Sequence, residues 1–230
     1  MTKKIAVLPD YYRGIEPIPP SWEKVPLKKN LSPRVYFDFA QADLHDKSTS
    51  RSRVNALSNA KRALHYQVDL ISRALGIEQL ETKKRLDFPH KLDFCKECGI
   101  SSPIIIRRLN KIRNVVEHDY IIPTITQVQD YMDVVELFLA ATDRVIYQFP
   151  TYMEFTYAKK VNEKLPEIRN ILFPIGKGII YLHYHPGHVE ELNDMDVYEW
   201  ERKYSIKVQA GIGEIYFIWV RFLLECARKF

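Results

Sequence analysis

The sequence predicts a mainly α fold: a four-helix bundle over residues 51–149, preceded by an extended arm over 1–50 and followed by a small α+β appendage over 150–230. Three observations lead there. Through the middle of the chain apolar residues recur at three-four spacing, the period of a helix with one buried face. Before Ser50 prolines break any such period, and after Pro150 the recurring residues are aromatic and β-branched in partial alternation, which is strand chemistry. With 46% hydrophobic and 27% charged residues the chain has a globular balance and can bury a sizeable core.

Each element has its own signal. "GIEPIPPSWEKVPLKK" reads as extended chain, and Tyr11, Tyr12, Trp22, Tyr36, Phe37 and Phe39 give the arm apolar surface with which to dock. The first helix spans about 51–75: Leu57, Leu64, Val68, Ile71 and Leu75 share one face, and Gly76 is a natural stop. A second helix is expected near 89–98. Ser102-Pro103 caps a third, whose stripe is Ile105, Leu109, Ile112 and Val116 and which Pro123 ends. Thr124 or Thr126 caps the fourth, with Val128, Tyr131, Val135, Phe138, Thr142 and Val145 inward. Short connections favour antiparallel neighbours, hence a bundle. In the appendage "TYMEFTYA", "GIIYLHYH" and "YSIKVQA" are strand-like, while "EIYFIWVRFLLECARKF" suits a helix or a strand turning helical.

Several function classes fall away. "MTKKIAVLPDYY" turns polar before an h-region develops, and "IYFIWVRFLLEC" is short and interrupted by Arg221, too little for a span. Cys95, Cys98 and Cys226 make no even disulfide framework. The expectation is a cytoplasmic protein with no membrane partner. A net charge of +5 is a mild bias toward anionic partners such as RNA. There is no Gly-rich phosphate loop, G-x-S-x-G elbow or H-E-x-x-H.

The end of the third helix concentrates chemistry. "IRNVVEHDYIIPT" places Arg113, Asn114, His118 and Tyr120 in the order R-x4-H-x-Y. On a helix the step from Arg113 to His118 turns by roughly 140°, so the two do not stack on one line. The bland alternative is an Arg113–Glu117 pair on a solvated face and a helix end loosening before Pro123. Chance gives a bare R-x4-H about half an occurrence per chain of this composition, but R-x4-H-x-Y only roughly 0.03. RNA is cut without metal when its own 2′-OH attacks the adjacent phosphorus. That reaction needs a proton carrier near neutral pKa, for which histidine is suited, and a permanent cation for the phosphoryl charge, for which arginine is suited.

"RNVVEHDY" resembles the signature of HEPN domains, the higher eukaryote and prokaryote nucleotide-binding helical bundles, whose ribonuclease members carry R-x4–6-H, often with a polar residue after the arginine. The tyrosine two places past the histidine is similar to HEPN toxins paired with a minimal nucleotidyltransferase antitoxin that adenylylates it. The likeness covers about 50–149. It implies a metal- and cofactor-independent endoribonuclease, a toxin or defence effector, with Arg–His pairs from two chains meeting at a homodimer groove. Arg113 would then stabilise the scissile phosphate, His118 act as general base or acid, Asn114 orient either, and Tyr120 be the modification site. The arm and appendage depart from the compact toxins, and many HEPN bundles are non-catalytic, acting in dimerisation or in binding RNA or nucleotide. Arg107, Arg108 and Lys111 lie within two turns of Arg113 and are candidates for steering an RNA backbone. Tyr181, Tyr184 and Trp200 are candidate stacking platforms.

Two further clusters carry weaker signals. In "HYHPGH" a strand puts His183 and His185 on one face, and Pro186-Gly187 could turn His188 toward them as a third nitrogen ligand for zinc; a polar strand face entering a surface turn is the simpler account. "CKEC" has zinc-knuckle spacing but lacks a second pair, so two helix thiols are the better reading.

Overall fold

The structure is a computed structural model and describes residues 16–28, 31–45, 49–80, 86–100, 106, 121–156, 167–185, 205–211 and 214–230. The mainly α expectation is overturned: the described residues form an α+β fold with a six-stranded antiparallel sheet as a major element. In chain order the elements are β1 (Glu16–Pro17), β2 (Ser21–Glu23), α1 (Pro33–His45), α2 (Ser50–Ala74), a 3-10 turn (Ile77–Gln79), α3 (Phe88–Glu97), α4 (Ile125–Tyr147), β3 (Phe149–Thr156), β4 (Glu167–Leu172), β5 (Ile179–His185), β6 (Ser205–Gln209) and α5 (Ile215–Ala227). They divide into two compact units, one drawn from residues 24–72 and 84–147 and the other from 1–23, 73–83 and 148–230.

In the first unit the described elements are helices, and the sequence caps them as capping chemistry requires. The Ser32 hydroxyl accepts from the Val35 amide at 3.4 Å with Pro33 opening α1. This corrects the arm, since Pro33–His45 is a helix inside the stretch read as extended chain. At α4 the Thr124 hydroxyl accepts from the Gln127 amide (3.2 Å) while Gln127 Oε1 accepts from the Thr124 amide (2.9 Å), a reciprocal capping box. At the end of α3 the Ile100 amide reaches the Cys95 carbonyl (3.0 Å) and the Gly99 amide that of Lys96 (2.9 Å), which is the Schellman arrangement. Leu57, Leu64, Val68 and Ile71 of α2 and Val128, Tyr131, Val135, Phe138 and Thr142 of α4 are all buried. Among them runs a polar seam: Gln67 donates to Thr142 Oγ1 (2.9 Å) and Asp143 Oδ1 (3.0 Å), and Asp143 also receives the Arg34 guanidinium (2.8 Å). One carboxylate thus ties α1, α2 and α4 in a single register.

The second unit is built on the sheet. The strand order is β1-β3-β4-β5-β6, with β2 also pairing β3, so β1 and β2 both pair with β3, which itself pairs with β4. Register places Met153, Ile171, Leu182 and Ile206 in one row on one face. Against β3, β5 and β6 lies α5, burying Tyr216, Trp219, Val220, Leu223 and Leu224. Rings of Phe155 and Phe222 stack at 5.9 Å and those of Trp219 and Phe222 meet edge-on at 5.6 Å, a favoured aromatic geometry. The opposite face carries the row Glu154, Asn170, His183 and Ser205. Beneath, the turn after α2 joins this unit. Gly76 has φ +84°, and a Cβ there would lie 2.2 Å from Gly178 Cα, so only glycine fits. The Tyr216 hydroxyl donates to the Leu75 carbonyl at 2.6 Å.

No helix among the described residues is long and apolar enough to cross a membrane.

Candidate functional site

The helix α2 has two unlike faces. Its apolar stripe is buried in the helical unit, while Arg62, His65, Tyr66 and Asp69 stand at i, i+3, i+4 and i+7, the spacing of a second stripe. Opposite that stripe comes the start of α3. The Asp87 side chain caps this helix by accepting from the His90 amide (3.1 Å), with the His90 ring 2.6 Å away. These two contacts, the amide first, hold the Asp87 carboxyl below its ordinary value. The cap fixes Phe88, whose ring stacks on His65 with centroids 3.9 Å apart and planes 6° from parallel. One turn further, Lys91 Nζ meets Asp69 Oδ1 at 2.5 Å, and Lys28 Nζ lies 3.9 Å from the other carboxylate oxygen. The Lys28 amide donates to the Tyr66 hydroxyl at 3.1 Å.

Together with Tyr36 of α1 these groups line a pocket of about 820 Å³ inside the helical unit. Among the described residues its walls combine aromatic and imidazole rings with three cations, Lys28, Arg62 and Lys91, against two carboxylates, Asp69 and Asp87. Asp69 is spent on the two lysines and Asp87 on its helix cap. Arg62 is exposed, with Nη1 resting 2.9 Å from Asn59 Oδ1. Such a cavity offers flat π surfaces and an exposed guanidinium to one ligand. No local motif announces it. The stripe Arg62-His65-Tyr66-Asp69 is the signal that sequence reasoning passed over, because its residue types are those of an ordinary solvated face.

Arg113, Asn114, His118 and Tyr120, with Arg107, Arg108 and Lys111, lie outside the described residues. Ile106, at the head of their segment, is helical and buried. Of the histidine cluster, His183 is buried and its Nδ1 lies 2.5 Å from Asn170 Oδ1, a buried side chain on the neighbouring strand. His185 belongs to β5, but its side chain and all of His188 fall outside the described residues. Among the described residues no group of three or more His, Cys, Asp or Glu could hold a metal ion. The cysteines are free and buried. Burial pushes the Cys95 thiol up to about 12 and the Cys226 thiol to about 11, so both are protonated packing groups and poor nucleophiles.

Comparison of the chain with protein-family models, with curated proteins and with solved structures finds no match.

Proposed function

We propose that this chain is an RNA-handling protein that cleaves its substrate as a metal-independent endoribonuclease. One observation carries this: the R-x4-H-x-Y order of Arg113, His118 and Tyr120, with Asn114 after the arginine. The proposal keeps the chemistry of the HEPN-like motif and not the four-helix fold that the likeness implied. His118 takes the proton of the ribose 2′-OH as its oxygen attacks phosphorus. The bond to the 5′-oxygen breaks, that oxygen leaves with a proton, and a 2′,3′-cyclic phosphate remains. Arg113 offsets the charge growing on the phosphoryl oxygens, and Asn114 orients it or the histidine. Arg107, Arg108 and Lys111 draw in the backbone. The active form is a cytoplasmic homodimer with one Arg–His pair per chain, and Tyr120 is the point at which a nucleotidyltransferase-type antitoxin silences it. The ring-lined pocket, with three cations against two carboxylates among its described residues, supports a substrate made of phosphates and bases.

The test is cleavage of RNA by the purified chain in EDTA. Cyclic or 2′/3′-phosphate ends are expected, with activity abolished in a folded His118→Ala variant; undiminished cutting by that variant refutes the assignment. A second reading, a non-catalytic module that binds RNA or nucleotide, is favoured by the pocket itself, which is concave and lined by rings and charges. Wild-type protein that binds RNA and leaves it intact selects this second reading.

A further inference from the structure

We propose that the pocket between α1, α2 and α3 is a single-nucleotide subsite, taking a planar base with its phosphate. The inference rests on the RNA-handling reading and names where one residue of the strand, or a free nucleotide, is held.

The lining distinguishes this ligand class from others. Rings of Tyr36, His65, Tyr66 and Phe88 dominate the walls, and π faces bind any base by stacking, at roughly 1–3 kcal/mol per base. A small inorganic anion would leave most of a cavity of about 820 Å³ unfilled. A lipid or purely apolar ligand would bury Asp69, Lys28 and Lys91 against hydrocarbon, a large penalty even for paired charges. The charges are also ordered. Asp69 holds Lys91 at 2.5 Å and draws Lys28 to 3.9 Å, so this corner is preorganised with one cation in excess. Asp87 is occupied by its cap. The exposed guanidinium of Arg62, one turn from His65 on the same helix face and with Nη1 on Asn59 Oδ1, has further N–H donors with which to meet a phosphate. The rings are fixed before binding: His65 and Phe88 are already stacked, and the Tyr66 hydroxyl accepts from the Lys28 amide, so little ordering is needed when a base enters.

Calorimetric titration of the full chain with AMP, UMP, adenosine and inorganic phosphate tests this. AMP and UMP are expected to bind at least tenfold more tightly than either adenosine or phosphate, and more weakly at 200 mM than at 50 mM salt. Arg62→Glu, on an exposed side chain, should weaken AMP binding at least tenfold with an unchanged melting temperature, and Lys28→Glu, also exposed, serves as a second variant. A short single-stranded oligoribonucleotide that outcompetes AMP identifies a strand residue as the occupant; AMP tighter than the oligonucleotide identifies a free nucleotide. No response to any nucleotide, phosphate binding as well as AMP, or full affinity in both variants overturns the proposal.

Failure here is distinguishable from failure of the nuclease reading. His118→Ala should bind AMP as wild type does. Wild type that binds AMP but cuts nothing removes the nuclease and leaves the subsite. RNA cleavage together with nucleotide binding that is absent or independent of Arg62 does the reverse.

Discussion

The helical unit and the sheet unit bury polar groups in different ways, and the contrast separates site from scaffold. In the helical unit the buried seam of Gln67, Thr142 and Asp143 runs between helices and fixes their register, while the rings and charges of α2's other face are left to line a pocket. The sheet unit instead commits its aromatic residues to packing. Trp219, Tyr216, Phe149 and Phe173 are fully buried, and its buried polar pair, His183 with Asn170, joins two neighbouring strands. A unit whose rings are consumed by its core has few left for a ligand. The helical unit also buries Phe37, Phe94, Tyr131 and Phe138, but keeps the rings of Tyr36, His65, Tyr66 and Phe88 for its pocket.

The largest effect should come from the sheet unit's core. Trp219→Ala is expected to cost about 3–5 kcal/mol, read as faster amide hydrogen exchange in β3, β5 and β6. Equal acceleration in α2 and α4 would show that the two units unfold as one and would dissolve the contrast. Next come the polar pairs. Gln67→Ala and Asn170→Ala each remove a buried hydrogen bond and open a cavity, and should cost about 1–3 kcal/mol. They share no partner, so the double variant should equal the sum within about 0.5 kcal/mol, and a larger coupling energy in denaturant melts argues against separate interiors. Smaller is Thr124→Ala, which removes half of the capping box of α4 at about 1 kcal/mol; a melt indistinguishable from wild type would show that α4 is held by its buried stripe alone. The smallest concerns Asp87. Its folded pKa lies below the ordinary value of 3.8, so its contribution is complete above that value and is lost as pH falls through the lower folded one. The His90 amide resonance, followed by NMR, should report that titration, and a midpoint at or above 3.8 contradicts the cap.

Local period accounts for what the sequence revealed and for what it hid. The helix expected over about 51–75 is Ser50–Ala74, and that expected near 89–98 is Phe88–Glu97, because caps and three-four stripes are short-range properties. The strand-like "TYMEFTYA", "GIIYLHYH" and "YSIKVQA" overlap β3, β5 and β6. Their union with β1, β2 and β4 into a major sheet was not legible. Strands of two and three residues are too short to set a period, and in β4 an irregularity between Ile168 and Asn170 breaks the alternation. Helix α1 was masked by aromatic residues on several sides: Phe37 is buried while Phe39 is exposed. The pocket depends on pairs distant in sequence, such as Lys91 with Asp69 and His65 with Phe88, which no spacing rule connects. The R-x4-H-x-Y motif was the reverse case, a purely local pattern.

The approach of Gly76 to Gly178 has a practical consequence for engineering. By composition "FPIGKG" between β4 and β5 resembles a loop open to tags, labels or inserted domains. Yet the Gly176 amide donates to the Ala74 carbonyl at 2.8 Å and the Ala210 amide to the Gly178 carbonyl at 2.8 Å, so two segments far apart in the chain converge on it. An epitope inserted after Lys177 should yield little folded protein by soluble expression. That hairpin tip is where the chain is sewn shut.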